Sequence, residues 1–225
     1  MGLVICVGLP SEVRESDPEY LEYFDGQVEA VNGVLDSFGL PEYQEPFDIK
    51  DERTFEFDML GYDGLHYLRR LAAHLALKGE LPPPGEGDAA SDPVLNDYYR
   101  IFDDSFARGQ AAGMPFQHLI VHGDAEGYYL PVEFGDVIIP DASLEIDGGM
   151  LGSSHALLGE CQELARQLEL PEGLSPGDEA FDEVFDQQGL GDAKWERYRV
   201  ESYTCLGLIR ACEASIETGA AVVFA

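Results

Sequence analysis

The stretch FQHLIVHGDAEGYYLPVEF, residues 116–134, decides how the rest of the chain is read. Residues 116–122 are rich in β-branched and large apolar types and predict a strand. Residues 123–127, between two glycines, predict a turn. Residues 128–134 read as the return strand and residues 137–139 as another. Pro131 has no N–H to give a ladder, so its strand belongs at an edge or carries a bulge. Outward from this hairpin, residues 1–7 read as a buried strand and residues 55–57 alternate as a short one. Residues 220–224 are wholly apolar and read as a buried strand joining the sheet.

The remainder is helical in pattern. Asp17-Pro18 gives an N-cap followed by a first-turn proline. Leu21, Phe24, Val28, Val31, Leu35 and Phe38 then recur at spacings of three and four, which is one helix face, and Gly39 supplies its stop. Glu19, Glu22, Asp25 and Glu29 fall off that stripe. Asp63 opens a second helix that ends near Gly79, with Leu65, Leu68, Ala72 and Leu75 inward. Asp92-Pro93 repeats the start signal for a helix over 94–106. Ser153 or Ser154 caps another, and a helix over about 194–217 is stopped by Gly219. Residues 81–93 are rich in Pro, Gly and small polar types, a long surface loop in a single domain covering 1–225. The expected class is α+β, five or six helices packed on a modest, mostly antiparallel sheet.

The chain has 225 residues, 13 Lys plus Arg against 44 Asp plus Glu, and a formal charge of −31. Hydrophobic residues make up 45%, enough for a core, so this is no disordered acidic tail. The charge excludes nucleic acid and anionic membranes as partners, since both require basic patches. No stretch is apolar enough to span a bilayer, and residues 1–7 lack a basic leader, which points to the cytoplasm. Cys6, Cys161, Cys205 and Cys212 are too sparse for a disulfide scaffold and read as buried thiols.

Three constellations could carry chemistry. His118, His122, Asp124 and Glu126 alternate along one side of a strand and could ligate a divalent metal for hydrolysis, with His155 as a further partner. Residues four apart on a strand lie about 13 Å apart, too far for one ion without a bend. Residues 148–155, GGMLGSSH, resemble an anion-binding entry loop but lack the lysine of a P-loop and the spacing of a nucleophile elbow. The third is the acid load. It suits steering toward a basic protein partner, with a nuclease toxin as one such, or the cytoplasm of a salt-adapted organism. The first of these predicts clustered charge and the second an even coat. No cofactor motif is present.

The run from His122 to Phe134 followed by GSS at 152–154 resembles an uncharacterised group of bacterial cytoplasmic proteins. The matching positions are His122, Asp124, Gly127, Tyr128, Tyr129, Pro131, Phe134, Gly152, Ser153 and Ser154. The resemblance implies an accessory or immunity-type protein and brings no activity with it. The expectation is a non-enzymatic acidic binding protein, an inhibitor of a basic protein. Its expected contacts are Asp124, Glu126, Tyr128, Asp182, Glu183, Phe185 and Asp186.

Overall fold

A computed structural model of the chain describes residues 3–9, 18–50, 53–84, 87–123, 126–141, 144–186 and 191–224. Its strands are β1 (Val4–Val7), β2 (Phe55–Asp58), β3 (Tyr128–Leu130), β4 (Leu151–Ser153) and β5 (Val222–Phe224). They form one sheet in the order β2-β1-β5-β3-β4, antiparallel except for the β3–β4 pair. Eight α-helices stand among the described residues. They are α1 (Pro18–Ser37), α2 (Gly61–Lys78), α3 (Pro93–Phe106), α4 (Gln117–Ile120), α5 (Ser154–Leu168), α6 (Glu179–Asp186), α7 (Lys194–Arg197) and α8 (Arg199–Thr218). The class is α+β, as expected.

The centre of the sheet is the pair of strands nearest the two ends of the chain, β1 against β5. Their residues alternate between two cores, as the two-residue period of a strand requires. Ile5, Val7, Tyr129 and Val222 face the larger core, built with α2, α3, α5 and α8. Cys6, Tyr128, Leu130, Ala221 and Val223 face the other, built with α1 and parts of residues 132–146. Both faces are covered, so the strands read as apolar runs rather than half-polar alternations.

The 116–134 hairpin does not form. Phe116 adopts a left-handed backbone (φ 63°, ψ 25°), and residues after it make one helical turn, α4. Two side chains from other elements bracket that turn. The Glu160 carboxylate on α5 accepts from the His118 and Leu119 amides at 3.1 and 2.8 Å. The Arg69 guanidinium on α2 donates to the carbonyls of Leu119, His122 and Gly123 at 2.8, 2.5 and 3.2 Å. An acceptor at the amide end and a cationic donor at the carbonyl end satisfy the orphan groups of a helix. Burial of Leu119 and Ile120 is thus achieved without strand pairing. Of the predicted return strand only Tyr128–Leu130 pairs, stopping before Pro131, and residues 137–139 contribute a single bridge, Ile138 to Leu151.

Other boundaries follow local chemistry. Asp92 caps α3 by accepting from the Val94 and Leu95 amides, and Ser153 caps α5. The cap assigned to Asp17 lies outside the described residues. α2 starts after a left-handed Leu60, with Asp63 in its first turn rather than at its cap. The last helix is broken at Tyr198 (φ −106°, ψ 43°) into α7 and α8. The loop at 81–93 is tied down, because Tyr198 donates to the Pro82 carbonyl and Tyr67 to that of Gly87.

Arg69 is 1% exposed. Arg69→Lys offers a point charge that cannot fork across three carbonyls. It is expected to cost about 3 kcal/mol of unfolding free energy in urea titration, since buried acceptors are left without donors. A cost within experimental error of zero would show that α4 does not depend on this clamp.

Candidate functional site

The α1 side of the sheet is where charge collects. Within α1, Glu19, Glu22, Asp25, Glu29 and Asp36 are all exposed, and the helix holds no Lys or Arg. Glu19 to Glu29 places four carboxylates on one side of the helix over about 15 Å, about one per 5 Å of axis. Each strand of duplex DNA carries one phosphate per about 3.4 Å of axis, a comparable linear density. Beside α1, residues 126–151 add six acids and again no Lys or Arg, with Glu126, Glu133, Asp141 and Glu145 exposed. Val132, Ile138, Leu144 and Ile146 pack this stretch into the same core as Phe24, Val31 and Leu35 of α1.

The opposite side has mixed charge. The described cations on named helices fall on α2, α3, α5, α7 and α8. Most are paired: Arg70 with Asp92 at 2.9 Å, Arg100 with Asp97 at 3.0 Å, Lys194 with Glu169 at 2.7 Å and Arg210 with Glu213 at 3.3 Å. Arg166 pairs with Glu163. Negative charge is therefore partly neutralised by ion pairs on α2, α3, α5, α7 and α8, while α1 and residues 126–151 contain no Lys or Arg.

The seam between α1 and residues 126–151 is closed by hydrogen bonds on Asp147. Its carboxylate accepts from the Tyr23 and Tyr128 hydroxyls, and its amide donates to Gln27 at 3.0 Å. The hydrogen bond to Asp147 is the main cause that pushes the Tyr23 hydroxyl up to about 12. Tyr23 is 51% exposed, an aromatic ring standing among carboxylates. Sequence reasoning passed over Tyr23 and Gln27. The signal for Tyr23 was there, since an aromatic off the apolar stripe of an amphipathic helix faces water.

The expected contact residues fall in two places. Glu126 is exposed next to α1, while Asp124 lies outside the described residues. Tyr128 is buried, its ring edge-on to Phe24 at 5.9 Å, so the exposed ring here is Tyr23 instead. Glu179, Asp182, Glu183 and Asp186 form one exposed acidic face of α6, spaced three and four apart. Phe181 and Val184 turn the other face of α6 onto Trp195 and Leu206, and Phe185 sits half-buried under Arg199. Since α8 covers the larger core, α6 lies across the sheet from α1, and the structure does not join Asp182, Glu183, Phe185 and Asp186 to Glu126 in one patch.

The rings of His118 and His122 are held by backbone groups. The segment is helical, so the strand-spacing objection to His118 and His122 does not apply, but their ring nitrogens face backbone groups. His118 Nδ1 accepts from the Ser153 amide at 3.1 Å and Nε2 donates to Gly135 at 3.2 Å. His122 Nε2 donates to the Tyr128 carbonyl at 3.1 Å, and its ring stacks on Tyr129 with centroids 3.9 Å apart. A β-carbon at Gly152 would lie 2.2 Å from the Tyr129 ring, which explains that glycine. Tyr129 in turn donates to the His118 carbonyl. No group of three or more His, Cys, Asp or Glu among the described residues is arranged to hold a metal. His155 faces Glu133 at 4.0 Å.

A family model described as "Putative DNA-mimic protein" matches residues 1–224. The chain belongs to this DNA-mimic family. No curated protein and no solved structure matches it. Membership accords with the geometry, in which rows of exposed carboxylates stand on α1 and residues 126–151, stretches without Lys or Arg. No helix among the described residues is long and apolar enough to cross a membrane.

Burial sets how the fold responds to pH. It raises the carboxyls of Glu45, Glu160 and Glu201 from 4.5 to about 7, 8 and 7, against the opposing pull of the hydrogen bonds they accept. Their contribution to stability is complete below about 4.5 and is lost as pH rises through 7 to 8. Burial lowers His118 and His122 from 6.5 to about 4, so theirs is complete above 6.5 and lost as pH falls through 4. The melting temperature is expected to be about 5 °C or more higher at pH 6 than at pH 8.5, and to fall again below pH 4. A melting temperature that is level from pH 6 to 8.5 would contradict these assignments.

Proposed function

We propose that the chain is a non-enzymatic decoy that occupies the DNA-binding surface of a basic protein. The observation that carries this reading is the segregation of charge within a chain of the DNA-mimic family. The α1 row and the exposed acids of residues 126–145 meet the partner's phosphate-binding cations, with Tyr23 as the aromatic contact at their junction. Glu126 belongs to this contact and Asp124 adjoins it in sequence. Asp182, Glu183, Phe185 and Asp186 on α6 form a separate, secondary contact. A nuclease toxin is the partner an immunity-type role would require, and the cytoplasm is where such a complex would form. Uneven charge favours a docking role over the uniform coat of a salt-adapted protein. Histidine rings engaged with backbone groups do not favour the hydrolase reading.

Duplex DNA and the chain should compete for the same proteins. Proteins retained by the immobilised chain are expected to be released by duplex DNA and by rising salt. Converting Glu19, Glu22, Asp25 and Glu29 together to Gln should weaken retention about tenfold or more at low salt, because each phosphate-like contact contributes to the salt slope. Neutralising Asp97, Asp104 and Glu163, which already face arginines, should change it little. Retention indifferent to DNA and to the α1 substitutions would overturn the proposal.

A further inference from the structure

β2 is an edge strand, paired to β1 alone among the described residues. Its free side opens on a groove of about 630 Å³ bounded by α8 and by residues 175–177. The register settles which backbone groups face that groove. Met59 donates its amide to the Leu3 carbonyl at 2.9 Å, and bonding alternates along an antiparallel pair. Phe55 and Phe57 therefore turn their backbone groups to β1, and Glu56 and Asp58 turn theirs outward. No hydrogen bond among the described residues reaches the Glu56 or Asp58 amide.

The side chains add a charge pattern to this open edge. Glu56 and Asp58 pair with Cys6 and Val4, so they project on the α1 side of the sheet, where both are exposed. Neither has a cationic partner among the described residues, whereas the arginines of the groove do: Arg53 pairs with Glu217 and Arg210 with Glu213, each at 3.3 Å. On the other side, Phe55, Phe57 and Tyr203 stack into an aromatic floor, with Phe57 and Tyr203 centroids 4.9 Å apart.

We propose that the outer edge of β2 receives an extended segment of a partner as an added strand, with Lys or Arg at every second position and apolar residues between. Cations at alternate positions fall beside Glu56 and Asp58, and the intervening side chains fall on the Phe55, Phe57 and Tyr203 floor. The backbone of the segment bonds the outward groups of Glu56 and Asp58. A second copy of this chain is a poor occupant, because edge-to-edge pairing would bring its Glu56 and Asp58 against the same residues here. This surface goes beyond the decoy reading and does not depend on the α1 row.

The test uses the isotope-labelled full chain and a capped octapeptide of alternating Lys and Val, followed by NMR. Two further peptides carry N-methyl groups on every second backbone nitrogen, one in each register, which preserves charge and removes strand donors. Amide shifts are expected to saturate at residues 54–58, with slowed hydrogen exchange at Glu56 and Asp58. One methylated peptide should bind about tenfold more weakly. Glu56→Gln, which keeps the amide, should weaken binding about two- to fivefold and flatten its salt dependence. Equal binding of all three peptides, shifts confined to the acids of α1, or no shift at millimolar peptide would each overturn the proposal and leave Glu56 and Asp58 as charges that guard the edge. None of these outcomes bears on competition with duplex DNA, so the two readings fail separately.

Discussion

The fold depends on one short helical turn held between the Glu160 carboxyl and the Arg69 guanidinium. Without Glu160 at its amide end and Arg69 at its carbonyl end, α4 would bury polar backbone with no partners. Four structural elements converge on it. Tyr129 of β3 donates to the His118 carbonyl, Ser153 at the end of β4 donates to the His118 ring, and α2 and α5 supply the bracketing side chains. The two histidines are neutral fillers in this arrangement. Their burial drives them toward the uncharged form, and their ring nitrogens serve backbone groups.

That constraint connects to function through the distribution of cations. The chain has 13 Lys plus Arg, and Arg69 is wholly inside. Most described cations on the α8 side pair with carboxylates at 4.0 Å or less. The α1 side receives none from α1 or from residues 126–151, so its carboxylates repel one another. Such repulsion destabilises a compact state at low salt and is relieved by a partner carrying complementary charge. Apolar packing of Phe24, Val31, Val34 and Leu35 against β3 and β5 supplies the opposing attraction that keeps α1 in place.

Helices with strict three-and-four spacing were legible from the sequence, because one apolar face dictates them whatever the neighbours do. The cap signals at Asp92 and Ser153 were legible for the same local reason. The 116–122 turn was not. Its apolar content demands burial, but whether burial is met by a strand or a helix depends on Arg69 and Glu160, distant in sequence. The motif linking His122, Tyr129 and Gly152 was visible as a pattern, while its structural role needed the stacking geometry. For the site, the acid excess was legible and its concentration was not. Cation-free runs gain meaning only when α1 and residues 126–151 are seen to share a core. Tyr128 and Tyr23 show the limit in one pair, since both donate to Asp147 and only one is exposed.

The central claim, that negative charge is concentrated on the α1 side, is open to direct measurement without any partner. Paramagnetic relaxation of backbone amides by a cationic nitroxide, divided by that from a neutral one, reports the local potential residue by residue. The account predicts the highest ratios over residues 19–36 and 126–145 and markedly lower ones over α2 and α8. Ratios that are uniform across the surface would contradict it.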